Sequence, residues 1–440
     1  MKVKPRFYVL ITFLITVLIL WIIFQDDLFL QLLVFLGLLL LVSYVTARLS
    51  LNGVIVQRTS RFQKMNIGNY FEDHFDIENK QPFWKQWIEI CDYSGISGNP
   101  EEIRVLTGLD ARKVRTFNTY TFLRKRGVFN LGPLKLTSGD FLGCFEMERW
   151  VESQKRLVVL PRIIELNRFA HLPAYLSGGK ELKVASLETT PFAAGVREYY
   201  PGDSLRRIHW LTTARRQKLM VKEFDRDPQM NTWIILDCES RNHYERQENV
   251  VSNHPSDYWS VRQLTKYALP CSTFEYAVTA AASITQFFIA HNYGVGLITS
   301  GQQAQMVVSD HGYRQLGKVL DTLAYVQPDG ETPFTGFSTE YFKHINRGST
   351  VIIISTILDP ALLDLVNLAL ARGLRPIYVC VNRASFNGTA QSEESDIEIR
   401  GQLAIRAVPV FIIDYETDIK ECLENGHTNL PQGIPSNRRN

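Results

Sequence analysis

Two long uncharged apolar runs lie near the start of the sequence, at residues 7–24 and 28–47, separated only by Gln25, Asp26 and Asp27. A helix needs about 20 apolar residues to cross the ~30 Å hydrocarbon core of a bilayer. A secretory signal peptide would be followed by a small-residue cleavage site, whereas a second apolar run follows here. The sequence therefore predicts two transmembrane helices joined by a tight turn.

The charges that flank these runs predict their orientation. Lys2, Lys4 and Arg6 precede the first run and Arg48 follows the second, while the turn between them is acidic. Lys and Arg are enriched on the cytoplasmic side of membrane segments. We therefore expect a multi-pass protein of the cell membrane, with residues 1–6 as a short cytoplasmic N-terminus and the bulk of the chain in the cytoplasm.

Residues 51–166 change to short runs in which apolar and polar residues alternate, separated by clusters of Gly, Asn and Pro. Such runs occur at 54–58, 74–79, 85–93 and 156–160. Alternation with a period of two is typical of half-buried strands. The region predicts an antiparallel β-sandwich of roughly immunoglobulin size, about 100 residues.

Residues 231–425 alternate fully apolar short runs with helical patterns. The predicted strands are 232–237, 294–300, 349–356, 376–382 and 408–414, and the predicted helices are 274–291, 313–325 and 361–373. Apolar strands that alternate with helices indicate a mostly parallel sheet covered on both faces, a Rossmann-like α/β domain. Two polar stretches, 241–272 and 384–398, are predicted to be mobile surface insertions, and 426–440 a polar tail.

The segment 180–230 between these regions contains a stretch, 197–225, with seven Lys or Arg. Its Pro201-Gly202 turn precedes Asp203, which we expect to cap a helix that ends near Arg215. A strand at 219–224 is then expected to feed the main sheet. Three interpretations stay open: a salt-bridged structural joint, a docking surface for an acidic partner or phosphate, and a catalytic strip. His209 has no visible nucleophile beside it, which disfavours catalysis.

This charged and aromatic stretch resembles the hallmark of a bacterial family. The hallmark positions in this chain are Arg197, Tyr200, Pro201, Gly202, Asp203, Arg206, Arg207, Ile208, Trp210, Ala214 and Arg215. Upstream stretches at 126–133, 138–145 and 159–161 fit the same family. On these residues the chain is similar, along almost its full length, to the domain-of-unknown-function 58 family. The resemblance implies two membrane helices, a β-rich domain at 51–166, the joining hallmark segment and a von Willebrand A-like domain at 231–425.

A von Willebrand A-like domain implies a candidate Mg²⁺ site, built on an Asp-x-Ser-x-Ser loop after the first strand. Asp237 stands at the position of the aspartate, but Glu239 and Arg241 stand where the serines would be. Thr332 and Asp359 are candidates for the remaining ligands, and carboxylates and hydroxyls suit a hard cation. Either these acids hold Mg²⁺, or Arg241 neutralises them as an ion pair.

The resemblance also implies a function. It points to a protein-interaction module rather than an enzyme, an adaptor or assembly factor that acts with a MoxR-type AAA+ ATPase. One alternative is a divalent-cation-dependent hydrolase at Asp237, Glu239 and Asp359, although the sequence contains no GxSxG, HExxH or GxxxxGK[ST] motif.

A second alternative is binding of anionic lipid or nucleic acid through the basic residues of the hallmark stretch. These are Arg206, Arg207, Arg215, Arg216 and Lys218. A formal net charge of only +3 argues against a dedicated nucleic-acid binder, so no nucleic acid is expected as a partner. The six cysteines are scattered without a CxxC pair, which disfavours zinc or a disulfide framework.

Overall fold

A computed structural model describes residues 1–96, 103–152, 155–169, 193–200, 208–224, 231–246, 267–388 and 394–425. The chain divides into two compact units. The first contains Met1–Pro161 and Asn249–Ala268, and the second contains Arg162–Glu248 and Leu269–Asn440. Each unit is built around its own sheets.

The two apolar runs form helices α1 (Pro5–Phe24) and α2 (Asp27–Ser50). Pro5 starts α1, where its missing N–H costs nothing, and Asp26 caps α2 by accepting the N–H of Leu28 at 3.2 Å. Both helices are long and apolar enough to cross a membrane, and only 6% and 11% of their most apolar windows are buried within the protein. Their apolar surfaces therefore need a cover, which a bilayer would provide.

Apart from the two helices, the described residues up to Pro161 are mostly in strands, which confirms that this region is rich in strands. The strands are β1 (Lys2–Val3), β2 (Val54–Ser60), β3 (Lys64–Asn66), β4 (Tyr70–Asn79), β5 (Lys85–Asp92), β6 (Ile103–Leu109), β7 (Val114–Phe122), β8 (Gly127–Leu131), β9 (Leu134–Gly139), β10 (Phe145–Val151) and β11 (Lys155–Leu160). They form sheets of order β1-β10-β9-β5-β6, β2-β4-β7 and β3-β11-β8. Phe75 and Ile77 of one sheet pack with Ile88, Ile90 and Leu136 of another, so alternate residues fill a shared core.

A buried carboxylate ties α2 to these strands. Asp140 follows β9 and accepts the N–H groups of Phe145 at 2.7 Å and Leu142 at 3.1 Å. Its Oδ2 also accepts the hydroxyl of Ser43, which lies in the last two turns of α2. Ser43 and Asp140 are both buried. The stretch at 138–145 therefore connects α2 to the sheet that contains β9 and β10. It does so near the end of α2 that is predicted to face the cytoplasm.

A buried ion cluster lies among β2, β4 and β5. The Arg58 guanidinium contacts Asp73 and also pairs with Asp92 at 2.9 Å, and the three side chains are 4%, 2% and 1% exposed. Burial raises the pKa of Asp73, and the hydrogen bond from Arg58 opposes that rise. The guanidinium thus gives hydrogen bonds and a shared positive charge to two carboxylates that would otherwise be costly to bury.

In the second unit, the described part of the hallmark stretch forms a small separate structure. Strands β12 (Ala193–Glu198) and β13 (Met220–Phe224) pair antiparallel with each other, and α3 (Trp210–Arg216) lies between them in sequence. The expectation that the strand at 219–224 feeds the main sheet was wrong, because apolar alternation does not specify the pairing partner. Helix α3 also starts later than expected: Ile208 bridges to Val221 and His209 is the N-cap. The expected cap, Asp203, lies outside the described residues.

The second unit contains a six-stranded sheet. Its strands are β14 (Asn231–Leu236), β15 (Gly294–Thr299), β16 (Gln305–Asp310), β17 (Thr350–Ser355), β18 (Arg375–Val381) and β19 (Val410–Ile413), in the order β16-β15-β14-β17-β18-β19. Only the edge strand β16 is antiparallel. The mostly parallel sheet expected from the apolar runs is confirmed.

Helices accompany this sheet. They are α4 (Thr273–Ala290), α5 (Tyr313–Tyr325), α6 (Phe334–Tyr341), α7 (Pro360–Ala371), α8 (Arg383–Asn387), α9 (Glu394–Ile405) and α10 (Ile419–Asn425), with a 3-10 turn at Phe342–His344. Ala277, Ala280 and Ala281 are fully buried, because small side chains let α4 lie close to the strands. Of the polar stretch 384–398, expected to be a mobile surface insertion, residues 384–387 lie in α8 and 394–398 in α9, and residues 389–393 lie outside the described residues. Of the stretch 241–272, residues 247–266 lie outside the described residues.

Candidate functional site

The candidate site lies where two neighbouring parallel strands, β14 and β17, end. From β14 the chain continues to β15 on one side of the sheet, and from β17 it continues to β18 on the other. The two connections leave in opposite directions, so the loops after these strands diverge and open a crevice at the carboxyl edge. Ligands of open α/β sheets bind at such a switch point.

Asp237, the first predicted site residue, follows β14 directly and is completely buried. Its carboxylate accepts three hydrogen bonds: from Ser355 Oγ at 2.6 Å, from the Glu239 N–H at 2.9 Å and from Asn242 Nδ2 at 2.9 Å. Ser355 is the last residue of β17. The carboxylate therefore joins the ends of the two strands.

Glu239 lies two residues further along and is 9% exposed. Its Oε2 accepts the N–H of Phe334 at 3.0 Å, which is the first residue of α6. The same oxygen accepts Asn242 Nδ2 at 3.0 Å. A carboxylate is favoured at a helix N-terminus, where free N–H groups point outward. Glu239 thus caps α6 while remaining beside Asp237.

The side-chain amide of Asn242 bridges the two carboxylates, at 2.9 Å from Asp237 and 3.0 Å from Glu239. An NH₂ group has two hydrogens, so it can donate one to each. A cation coordinated by both acids would have to stand where this amide donates. Among the described residues, moreover, no group of three or more His, Cys, Asp or Glu is placed to hold a metal ion. The arrangement seen here does not fit the Mg²⁺ expected from the family resemblance.

The electrostatics of this pair follow from its burial. Desolvation raises the pKa of Asp237 from 3.8 to about 6. The hydrogen bonds from Ser355, Glu239 N–H and Asn242 oppose the rise, and the neighbouring Glu239 carboxylate adds to it. An amide bridge carries no charge, so it leaves the pair with negative charge that a bound cation or a guanidinium would have neutralised.

A cavity of about 310 Å³ opens in front of the pair. It is lined by Glu239, Asn242, Pro333, Phe334, Thr335, Thr356, Ile357, Asp359 and Arg383. Glu239 and Asp359 are thus brought to one cavity, although Asp359 is exposed and also caps α7 through the N–H of Leu362 at 3.0 Å. Asp237 is buried and is not among the residues that line the cavity.

The remaining predicted residues take other positions. Thr332 is exposed and does not line the cavity, and the nearby hydroxyls that do belong to Thr335 and Thr356. Asn242, rather than Arg241, bridges the two acids. The backbone carbonyl of Arg241 accepts Arg383 Nη1 at 2.9 Å, which holds Arg383 at the rim. Sequence reasoning missed Asn242, Ser355 and Arg383. The only available signal was that Ser355 ends an apolar strand.

The hallmark residues are described only in part, and Pro201, Gly202, Asp203, Arg206 and Arg207 lie outside the described residues. Arg197 lies in β12, opposite Val221 of β13. Ile208 is buried, whereas Tyr200 and Trp210 are 70% and 68% exposed. Ala214, Arg215 and Arg216 are exposed on α3, and Lys218 pairs with Glu198 at 3.0 Å. The roles of joint or docking surface stay predictions for this stretch.

Comparisons with known proteins identify relatives of this chain. Residues 195–254 match the family model described as "Protein of unknown function DUF58". The "Uncharacterized protein YeaD" of Bacillus subtilis (strain 168) is 24% identical over 288 residues, which is 64% of this chain. The chain matches 63% of the length of that relative.

Two matching solved structures are distant from this chain in sequence. A CARDB domain from Pyrococcus furiosus in complex with di-metal ions is 11% identical and covers 24% of this chain and 91% of its own, with a TM-score of 0.18. A β-glucosidase from Listeria innocua is 10% identical and covers 23% of this chain and 16% of its own, with a TM-score of 0.16. Scores this low carry no argument about fold or ligand. The family match over residues 195–254 and the Bacillus relative together support membership of the DUF58 family of proteins of unknown function.

Proposed function

We propose that the chain is a membrane-anchored protein-binding module, whose α/β unit receives part of a partner protein at the carboxyl edge of its sheet. Helices α1 and α2 form the anchor. The basic residues Lys2, Lys4, Arg6 and Arg48 at their outer ends favour an orientation with both units in the cytoplasm. A cytoplasmic partner could then reach the cavity.

The observation that carries this proposal is the polar cavity at the switch point between β14 and β17. Acidic, amide and hydroxyl groups converge there from the loops after two strands and from the start of α6. The strand order, with one antiparallel edge, is consistent with a von Willebrand A-like domain, a kind of domain that generally binds other proteins. A polar side chain of the partner would enter between Glu239, Asp359 and Arg383.

The position and hydrogen bonding of Asp237 favour a binding site over a catalytic site. Asp237 does not line the cavity, and its carboxylate already accepts three hydrogen bonds. A general base must lie within hydrogen-bond reach of the proton that it takes. The cation on which the hydrolase alternative depends does not fit between Asp237 and Glu239. We therefore retain the hydrolase only as an outcome that assays could reveal.

The family resemblance suggests the identity of the partner, a AAA+ ATPase of the MoxR type. A ring ATPase at the cytoplasmic face would be held beside the membrane by this module, which would act as an adaptor or assembly factor. The proposal requires contact through the α/β unit rather than through the membrane helices.

The test is affinity capture of the tagged full chain from detergent-solubilised membranes, with a cavity-blocking variant. Thr335→Trp places a large ring at the cavity wall, whereas Thr339→Trp places the same ring one turn along α6 on an exposed position outside the lining. We expect the ATPase to be captured by the wild type and by Thr339→Trp but not by Thr335→Trp. Equal capture by both variants would refute the cavity as the binding site.

A further inference from the structure

The turn between β4 and β5 carries two aromatic side chains that the protein leaves uncovered. Phe83 is 58% exposed and Trp84 is 66% exposed. Neighbouring exposed rings form the kind of apolar patch that marks an interaction surface. The position of this turn within the first unit indicates which kind of surface the two rings contact.

Hydrogen bonds fix the turn against the end of α2. Lys85 Nζ donates to the carbonyl of Leu49, within the last turn of that helix, at 2.5 Å. The Lys80 N–H donates to the carbonyl of Gly53, just beyond the helix, at 2.9 Å. Asn79 Nδ2 closes the turn by donating to the Phe83 carbonyl at 2.7 Å. The two rings are therefore held beside the point where the apolar helix ends.

A second turn, between β6 and β7, joins the first. Asn79 Nδ2 donates to the Asp110 carbonyl at 3.0 Å, and the Arg112 N–H donates to the Gln81 carbonyl at 3.2 Å. Val114, at the start of β7, is 60% exposed. The two turns thus form one surface at the end of α2.

Cations outnumber anions on this surface. Arg48, in the last turn of α2, is exposed, as are Lys80, Arg112 and Lys113. Two carboxylates lie among them: Asp110 pairs with Lys113 at 2.8 Å, and Glu78 lies 3.9 Å from Lys80. The surface combines exposed aromatic rings with an excess of positive charge.

We infer that Phe83 and Trp84 lie in the interfacial layer of the bilayer, with the surrounding cations against anionic lipid headgroups. The inference rests on the proposed crossing of the membrane by α1 and α2. Trp is enriched at the membrane interface because its ring is apolar and its N–H is polar. Basic residues next to a membrane helix are attracted to the anionic cytoplasmic leaflet.

Lipid is the occupant because the surface is continuous with the end of a helix whose apolar sides are uncovered. Arg48 is the first charged residue after the apolar run. Lys85 contacts the very next residue, Leu49. A protein partner at this place would have to displace the headgroups that surround the helix. The β-strand unit would therefore be held against the membrane by a third contact beside its two helices.

The test is fluorescence quenching of the full chain in vesicles of phosphatidylglycerol and phosphatidylcholine with brominated acyl chains. Trp84→Phe removes the reporter at the proposed interface. Phe62→Trp, made in the Trp84→Phe protein, places a reporter on another exposed aromatic position just past the other end of β2, about 20 Å along that strand from Gly53. Trp21→Phe removes a reporter inside α1.

We expect bromine to quench a component that Trp84→Phe removes and that Phe62→Trp does not restore. Quenching that is unchanged by Trp84→Phe, while Trp21→Phe still removes a quenched component, would overturn the interfacial contact and leave the membrane anchor intact. If neither Trp84→Phe nor Trp21→Phe removed a quenched component, both the interfacial contact and the membrane anchor would be overturned.

The charge complementarity is tested in the same vesicles. Lys80→Glu combined with Lys113→Glu should lower the quenching of Trp84 when phosphatidylglycerol is present, and much less in phosphatidylcholine alone. An equal response in the two lipid mixtures would overturn the role given to the headgroups.

Discussion

Both units of this protein bury a pair of carboxylates, and they stabilise them in opposite ways. In the strand unit, Asp73 and Asp92 share the guanidinium of Arg58, and all three side chains are at most 4% exposed. In the α/β unit, Asp237 and Glu239 share the neutral amide of Asn242, and Glu239 faces a cavity. The first pair shares a positive charge and is enclosed, whereas the second shares only a neutral amide and meets the cavity through Glu239.

The difference separates a structural site from a candidate binding site. A guanidinium between two enclosed acids gives both of them hydrogen bonds and a shared counter-charge, so that removing it is costly. An amide between two acids satisfies their hydrogen bonds but not their charge, so an incoming polar group can still interact favourably. We therefore assign function to the second pair and stability to the first.

The largest expected effect comes from removing the cation of the closed pair. Arg58→Met leaves Asp73 and Asp92 buried without a counter-charge, which should lower the free energy of unfolding by about 3–5 kcal/mol. Arg61→Met, three residues along at an exposed position, should change it by no more than about 0.5 kcal/mol. Chemical denaturation of the full chain in detergent measures both. Similar losses in the two variants would show that the cluster is not structural.

The open pair should make the stability of the α/β unit depend on pH. The folded pKa of Asp237 is about 6 and its ordinary value is 3.8, so folding favours the protonated acid. This stabilisation is present below the ordinary pKa and is lost as the pH rises through about 6, amounting to on the order of 3 kcal/mol.

Melting of wild type and Asp237→Asn across this pH range isolates the contribution. The variant lacks the titrating group, so the difference between the two melting temperatures should change steadily between the ordinary pKa and about pH 6. A constant difference would mean that Asp237 titrates at the same pH in the folded and unfolded states.

A smaller effect should follow from turning the amide bridge into a third acid. Asn242→Asp places three carboxylates together and should destabilise the unit by about 1–3 kcal/mol without metal, because two buried acids lose their donor. Mg²⁺ should restore the loss, since the new set of oxygens suits a hard cation. Thermal melting with and without Mg²⁺ measures this.

Asn242→Ala is the matched control, because it removes the amide without adding a ligand. We expect it to be destabilised and to gain nothing from Mg²⁺. The wild type should melt at the same temperature in Mg²⁺ and in chelator. A rise in the wild-type melting temperature with Mg²⁺ would contradict the interpretation that the Asn242 amide occupies the position of a cation.

The smallest effect concerns another buried acid, Asp140, which accepts hydrogen bonds from neutral donors and is not among the residues that line the cavity beside Glu239. Ser43→Ala removes the hydroxyl donor from α2 and should cost about 1 kcal/mol. Ser50→Ala, in the same helix, removes only a bond to the Ala47 carbonyl and should cost less. Hydrogen exchange at the Phe145 N–H reports the loosening. Equal exchange in both variants would show that the Ser43 contact contributes nothing.

The sequence predicted most of the regular framework, because apolar periodicity reports burial directly. The strands β14 and β17 and the helix α4 were expected close to where they lie. Strand β16 was missed because it is a half-exposed edge with a mixed sequence. Helix α6 was missed because it is short and is capped by Glu239, 95 residues earlier in the chain.

The site was harder to predict than the framework. Asp237 and Asp359 were identified because they follow apolar strands, and the carboxyl ends of parallel strands meet at one edge. The bridging role of Asn242 depends on a loop conformation that brings one amide within 3.0 Å of two acids. The spacing of residues in the sequence does not predict that contact. The expected Mg²⁺ site could therefore be compared only with the arrangement of side chains in the folded structure.

The central claim is that the cavity beside the amide-bridged acids binds a partner protein without a divalent cation. The most direct measurement is photo-crosslinking in native membranes, with benzoylphenylalanine in place of Thr335 at the cavity wall or of Thr339 one turn away. We predict an adduct with a AAA+ ATPase at position 335 only, formed equally in Mg²⁺ and in chelator. An adduct that requires Mg²⁺, or that forms equally at both positions, would contradict the account.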